Sequence, residues 1–173
     1  MFINGNLTVS EMIIREAVLE DMSGVLEIYN ELIATSTAIY FDEPLPLQNR
    51  IDWFHQRQRE GYPIFVAVDD SGVLGFSSFG DFNPRPGYRF TVENSINLRA
   101  DQRGKGLATR LMQPLIERAQ KLGKHVMLGL IDGDNAASIR LHQKLGFEQT
   151  AFMPQVGYKF GRWLNLVIMQ RSL

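Results

Sequence analysis

Apolar and polar residues repeat with two different periods along the chain, and the switches between them mark its elements. Met12, Ile13 and Ile14 run together before Arg15 and Glu16, which predicts a strand over Met12–Ala17. From Glu20 or Asp21 the spacing lengthens to that of a helix, predicted to reach about Ala34. "PLPLQNRIDWFHQRQREGYP" sets Leu47, Ile51 and Phe54 on one helical stripe, closed by Gly61 and Pro63. "IFVAVDDSGVLGFSSFGDF" reads as a hairpin turning at Asp70-Ser71-Gly72. "YRFTVENSINLR" alternates most regularly, with Phe90, Val92, Ile96 and Leu98 on one face and Arg89, Thr91, Glu93, Ser95 and Asn97 on the other.

A helix follows to about Leu122, with Leu107, Leu111 and Leu115 on its stripe. Pro114 inside it predicts a kink, because the Arg110 carbonyl loses its usual partner. "KHVMLGLID" is a buried strand, and "NAASIRLHQKLGF" a short helix ended by Gly146. The remainder predicts two strands about a turn at Pro154–Gly157. Strands alternate with helices in the middle and run as meanders on either side, the pattern of an α/β protein with a mixed sheet flanked by helices. There is no internal repeat, low-complexity tract or linker, so residues 12–173 form one expected domain. Residues 1–11, with one glycine and no regular apolar period, read as a disordered extension, a tag or an alternative start.

Composition narrows the function classes. At 173 residues and 45% hydrophobic content the chain can bury one sizeable core unaided. A net charge of −1 gives no global attraction to nucleic acid or to an anionic membrane, and neither is expected as a partner. No apolar run is long enough to span a bilayer, and "MFINGNLTVSE" lacks the features of a signal peptide, so the cytoplasm is the expected compartment. With no cysteine there is no disulfide, cysteine zinc site, iron–sulfur cluster or thiol nucleophile. Three scattered histidines without HExxH spacing leave no metal site to expect.

"LRADQRGKGLATRLM" carries the candidate chemistry, because it packs Gly104 and Gly106 with Arg103 and Lys105 at a strand-to-helix junction. About four backbone N–H groups at a helix start lack intrahelical partners, and the macrodipole adds positive charge there. Glycines let a bulky anion reach those groups. The same residues also suit a plain tight turn with solvated basic side chains. A dinucleotide-binding unit is a third reading, but its third glycine would be Thr109, and too little chain follows for the remaining parallel strands.

Arg103-Gly104-Lys105-Gly106-Leu107-Ala108 resembles the Gln/Arg-x-x-Gly-x-Gly/Ala signature of the GNAT acetyltransferase superfamily. Four further segments match. "NAASIRLHQKLGFE" is similar to the superfamily's second CoA-side motif. "IREAVLEDMSGVLEIYNELIATSTAIYFDE" resembles the N-terminal segment of the phosphinothricin and methionine sulfoximine N-acetyltransferase branch, and "YRFTVENSINL" and "GYKFGRWLNLVIMQ" its central and C-terminal strands. The resemblance runs from Met12 to the end and implies the GNAT acyl-CoA N-acyltransferase fold. It implies acetyl-CoA as cosubstrate, held by Leu98, Arg103, Gly104, Lys105, Gly106, Ala108 and Thr109, with Asn135 and Ser138 from the second motif.

Acetyl transfer to an amine needs a base, a stabilised oxyanion and a departing thiolate. An acyl-cysteine intermediate is impossible here, so the amine attacks directly. Glu93 matches the Glu of the branch's Thr-Val-Glu segment and is the implied base; by itself it also reads as an ordinary solvated strand residue. His142 stands where many superfamily members carry a tyrosine that acts as acid; a structural histidine beneath the cofactor is the other reading. Asn135 also suits a helix N-cap. Arg85 and Tyr88 match the branch's residues for the acceptor's carboxylate and amine end, a role a bidentate guanidinium suits. Phe41, beside Tyr40, falls in the branch's pocket-shaping loop. Lys159 and Trp163 belong to a segment near its substrate site, where Asn165 replaces the usual Asp.

The expectation is an N-acetyltransferase acting on the α-amine of a small amino-acid-like acceptor such as phosphinothricin, methionine sulfoximine or methionine sulfone. The branch also implies a homodimer. A peptide or protein N-terminal acetyltransferase and a non-catalytic CoA-binding sensor are the alternatives. A nicotinamide-dependent oxidoreductase is the remaining rival.

Overall fold

One seven-stranded sheet organises the described residues, 11–173, of the computed structural model. The extension expected over residues 1–11 lies outside them except for Glu11. In chain order the strands are β1 (Ile13–Glu16), β2 (Ile64–Asp69), β3 (Gly72–Asp81), β4 (Thr91–Leu98), β5 (Val126–Asp132), β6 (Glu148–Lys159) and β7 (Arg162–Ser172). The helices are α1 (Met22–Thr35), α2 (Leu47–Glu60), α3 (Leu107–Lys121) and α4 (Ala136–Lys144). Spatial order is β1-β2-β3-β4-β5-β7-β6, antiparallel at every junction but β4–β5. This is the mixed sheet with flanking helices that the two periods predict. Among the described residues no helix is long and apolar enough to cross a membrane.

Both faces of the sheet are covered, and β2 shows how. Phe65 and Ala67 join the Leu107, Leu111 and Leu115 stripe of α3, while Ile64 and Val66 join Met22, Val25 and Ile28 of α1 and Phe54 of α2. Each such side chain contributes about 1.5–3 kcal/mol on leaving water. α3 continues through Pro114 to Lys121. The lost hydrogen bond is offset by Leu111, Met112, Leu115 and Ile116, buried on both sides of the ring's position. The polar groups of β3 are also matched: buried Ser77 donates to the Leu111 carbonyl at 3.0 Å and Ser78 to the Pro63 carbonyl at 2.8 Å.

Two local expectations are corrected. The final hairpin turns at Phe160-Gly161, both left-handed with φ of 51° and 74°, and not at Pro154–Gly157. Pro154 instead sits in an irregular stretch inside β6, where register slips between Met153 and Gly157 and the Gln155 amide donates to Asn165 Oδ1 at 3.0 Å. A side-chain acceptor on β7 thus replaces the ladder partner that a turn would have made unnecessary. Phe90, assigned to the apolar face, precedes β4 and is half exposed, with the Arg89 guanidinium over its ring. Val92, Ile96 and Leu98 do pack into the α3 core, whereas the opposite face is only partly solvated: Ser95 is exposed, but Asn97 is buried and Glu93 half-buried.

Candidate active site

The one parallel junction fails partway, and that failure makes the site. β4 and β5 pair only from Thr91–Val126 to Glu93–Leu128, after which they diverge. The edge of β4 beyond Glu93 therefore has no strand beside it, and its backbone faces an opening. Asn94 spans the start of the gap, its amide donating to the Leu128 carbonyl at 2.7 Å. Its carboxamide oxygen lies 3.2 Å from His142 Nε2, while His142 Nδ1 meets the Ser138 carbonyl at 2.8 Å. The imidazole is 2% exposed and stacks edge-on against Phe147. Burial pushes its pKa below the ordinary value, against the pull of the Ser138 carbonyl, so the imidazolium is disfavoured. Gly129 makes room for it: a Cβ there would stand 2.6 Å from His142 Nε2.

The glycine stretch closes one end of the opening. Gly104 and Gly106 are both left-handed, with φ of 75° and 81°, and open space lies where their Cβ atoms would be. Gly106 is the N-cap of α3, and no side chain caps that helix. Its first amides are thus free for a ligand, in contrast to α4, where Asn135 Oδ1 accepts from the Ser138 amide at 3.1 Å. A cavity of about 630 Å³ runs from this helix start to α4; Leu98, Arg103, Gly104, Gly106, Ala108, Thr109, Asn135 and Ser138 all line it. Arg103 is tied to Glu31 at 2.8 Å, so an anion here competes with a carboxylate for the guanidinium. Lys105 is exposed and is not part of the lining.

A second cavity, about 310 Å³, adjoins the first, and Ala38, Ile96, Asn97, Asp132, Asn135 and Ser138 line both. Glu93, His142 and Phe41 line the second. Burial pushes the Glu93 pKa up from its ordinary value, and the Arg57 guanidinium partly counters this. The result is a carboxyl that holds a proton more readily than a solvated one. The outer wall is the segment between α1 and α2, pinned where Thr37 Oγ1 donates to buried Asp132.

Not every residue predicted from sequence converges here. Arg85 and Tyr88 lie in the exposed turn between β3 and β4, outside both linings; Tyr88 stacks edge-on against Phe82 at 5.6 Å. Lys159 is 1% exposed and lines neither cavity. Its ammonium donates to the carbonyls of Ile33, Ser36 and Ile39 at 2.7, 2.8 and 2.6 Å. Its three donors are spent on the end of α1 and the loop after it. Asn94, Asp132 and Gly129 were missed by sequence reasoning. The available signal was a polar residue in an apolar register for Asn94, and a glycine inside a strand for Gly129.

Comparison with known proteins agrees with this geometry. The Acetyltransferase (GNAT) family matches residues 25–147. The L-methionine sulfoximine/L-methionine sulfone acetyltransferase of Pseudomonas aeruginosa is 54% identical over 161 residues, 92% of this chain and 94% of that protein. The phosphinothricin N-acetyltransferase of Alcaligenes faecalis is 34% identical over 89% of this chain and 79% of its own length. The structure of an acetyltransferase from Salmonella typhimurium with its cofactor acetyl-CoA superposes with a TM-score of 0.92 at 46% identity, covering 95% of each chain.

Proposed function

This chain belongs to the acetyltransferase (GNAT) family, and on that premise we propose that it moves acetyl from acetyl-CoA to the α-amine of a small amino-acid-like acceptor. Phosphinothricin, methionine sulfoximine and methionine sulfone are the favoured acceptors, after the relatives that act on them. The observation that carries the reading is the continuity of the two cavities: one holds an uncapped, glycine-opened helix start, the other a half-buried carboxyl.

Acetyl-CoA supplies an activated acyl group on a good leaving thiol. The free amides at the start of α3 and the open space at Gly104 and Gly106 fit its pyrophosphate, and the unpaired edge of β4 fits the chain leading to the thioester. Glu93, directly or through one water, takes one proton from the acceptor ammonium; the freed amine attacks the thioester carbonyl, the C–S bond breaks with its electron pair going to sulfur, and the proton that the new amide nitrogen sheds passes through solvent to the thiolate. Backbone N–H groups on the free edge of β4 are available to the developing oxyanion. His142, enclosed and disfavoured as the imidazolium, is fixed through Nδ1 by the Ser138 carbonyl and is not the acid in this scheme. Acetyl-CoA and a free amino acid are both cytoplasmic metabolites, and we place the enzyme there.

Thiol release from acetyl-CoA, followed with a thiol-reactive dye, tests the reading directly, since the chain itself has no cysteine to react. Release with the sulfoximine, sulfone and phosphinic amino acids, and none with peptides, is the expected pattern. Arg85 lines neither cavity, and we propose that its long side chain swings to the acceptor's carboxylate on binding; Arg85→Ala is then expected to cost about 100-fold in kcat/KM on free amino acids through the lost bidentate grip. An unchanged kcat/KM on free amino acids would sink that role for Arg85.

We also propose a homodimer, supported by the aromatic surface of the β6–β7 hairpin. Phe152, Tyr158, Phe160 and Trp163 are 54–61% exposed there, with Tyr158 and Trp163 stacked at 5.0 Å, and β6 is an edge strand. Light scattering should return twice the 19.7 kDa chain mass, falling to one chain mass in Trp163→Asp. A wild-type monomer at micromolar concentration would refute the dimer.

A further inference from the structure

We propose that Arg57 of α2, which lines neither cavity, is a positioning residue that sets the charge state of Glu93 across Gly80. The inference rests on Glu93 acting as the base.

Gly80 and Glu93 are direct partners across β3 and β4, so their side-chain positions stand side by side on the α1–α2 face of the sheet. Gly80 has no side chain, and the Arg57 guanidinium fills that place. A Cβ on Gly80 would stand 2.4 Å from Arg57 Nη2 and 2.7 Å from its Cζ. The cation is thereby brought next to the Glu93 position from a helix on which no carboxylate of the active site lies.

Arg57 is incompletely satisfied where it sits. Nη1 donates to Glu60 at the surface at 2.8 Å, but Nε is buried without a partner. Leaving such a donor unpaired costs about 1–3 kcal/mol, which a residue present only for packing would avoid with an apolar side chain. Among the described residues no ion pair includes Glu93, so the two charges act on each other through space.

The surroundings leave Arg57 without a substitute. The other titratable groups lining the Glu93 cavity are Tyr29 of α1, Tyr40 of the loop after it, Asp132 of β5 and His142 of α4. Neutral phenols, a neutral imidazole and a carboxylate cannot favour a second negative charge. Arg50, the buried cation of α2, is stacked on Tyr29 and Trp53 and bonded to Asn49. Among the described residues Arg57 is accordingly the one charge that opposes the burial of Glu93.

The test is the pH profile of kcat/KM for the acceptor, from about pH 5 to about pH 9, in wild type, Arg57→Met, Arg57→Lys, Gly80→Ala and Glu93→Gln. Loss of the cation makes Glu93 harder to ionise, so the acid limb in Arg57→Met should move to higher pH. Activity at the acid end should fall about fivefold while the alkaline plateau stays within about twofold of wild type. Arg57→Lys should restore the limb. Gly80→Ala keeps every charge but displaces the flexible guanidinium, and should move the limb the same way; it also serves if Arg57→Met does not fold. A limb that is abolished by Glu93→Gln but unmoved by Arg57→Met and Gly80→Ala overturns the Arg57 assignment alone. A limb that survives Glu93→Gln overturns the Glu93 reading and this inference with it.

Discussion

Glu93→Gln is expected to lower kcat about 10²–10³-fold, with KM for acetyl-CoA close to wild type. The substitution keeps the shape of the side chain and removes only its capacity to take a proton. Glu93 makes no ion pair among the described residues, so no partner is stranded. Stability should move the other way. Burial raises the pKa of Glu93 in the folded chain, so its ionised form is tolerated less well there than in the unfolded chain. That cost is present above the folded-state pKa and vanishes as pH falls below the unfolded one. Gln avoids it, and melting of the variant at neutral pH should come at or slightly above the wild-type temperature. The combination of a large kinetic loss with no thermal loss distinguishes a base from a packing residue. Unchanged thiol release would dispose of the base role and leave the cavity as a binding site alone.

The pattern of periods revealed the order of elements because each element here buries a face in step with its own repeat. Leu107, Leu111 and Leu115 are as buried as their spacing demands. The glycine stretch was legible for a similar reason, since left-handed backbone at Gly104 and Gly106 excludes most other residues. The failures share a cause as well: each depended on a neighbour far along the chain. Pro154 and Gly157 look like turn residues, yet β7 continues past them, and Gly157 is small because the Tyr40 ring would lie 2.5 Å from a Cβ. Lys159 carries the same charge as a substrate-binding lysine, and nothing local says that its partners are carbonyls of Ile33, Ser36 and Ile39. Gly80 could not be read as a seat for Arg57 without the register that sets it beside Glu93.

Lys159→Met should lower stability by about 3–5 kcal/mol, because it strands buried carbonyls that now accept from an ammonium. For a chain of this size that is a fall of about 10 °C in Tm. The ammonium is the inner anchor of the segment joining α1 to α2. Thr37 ties the same segment to Asp132 at the end of β5, and Tyr40 seats against Gly157 of β6. Further along, Asn30 brackets Leu45, accepting from its amide at 2.8 Å and donating to its carbonyl at 2.9 Å. Ala38, Tyr40 and Phe41, held between these ties, wall the cavity that contains Glu93. Loosening the inner anchor should therefore raise KM for the acceptor more than KM for acetyl-CoA: Ser36, Thr37 and Ala38 border the first cavity too, but its glycine-opened start of α3 lies outside the segment. Scanning calorimetry with both KM values on the same preparation measures this. A lysine that bound substrate directly would give the reverse signature, a raised acceptor KM with an unchanged Tm. The geometry of three carbonyls at 2.6–2.8 Å predicts that both move together.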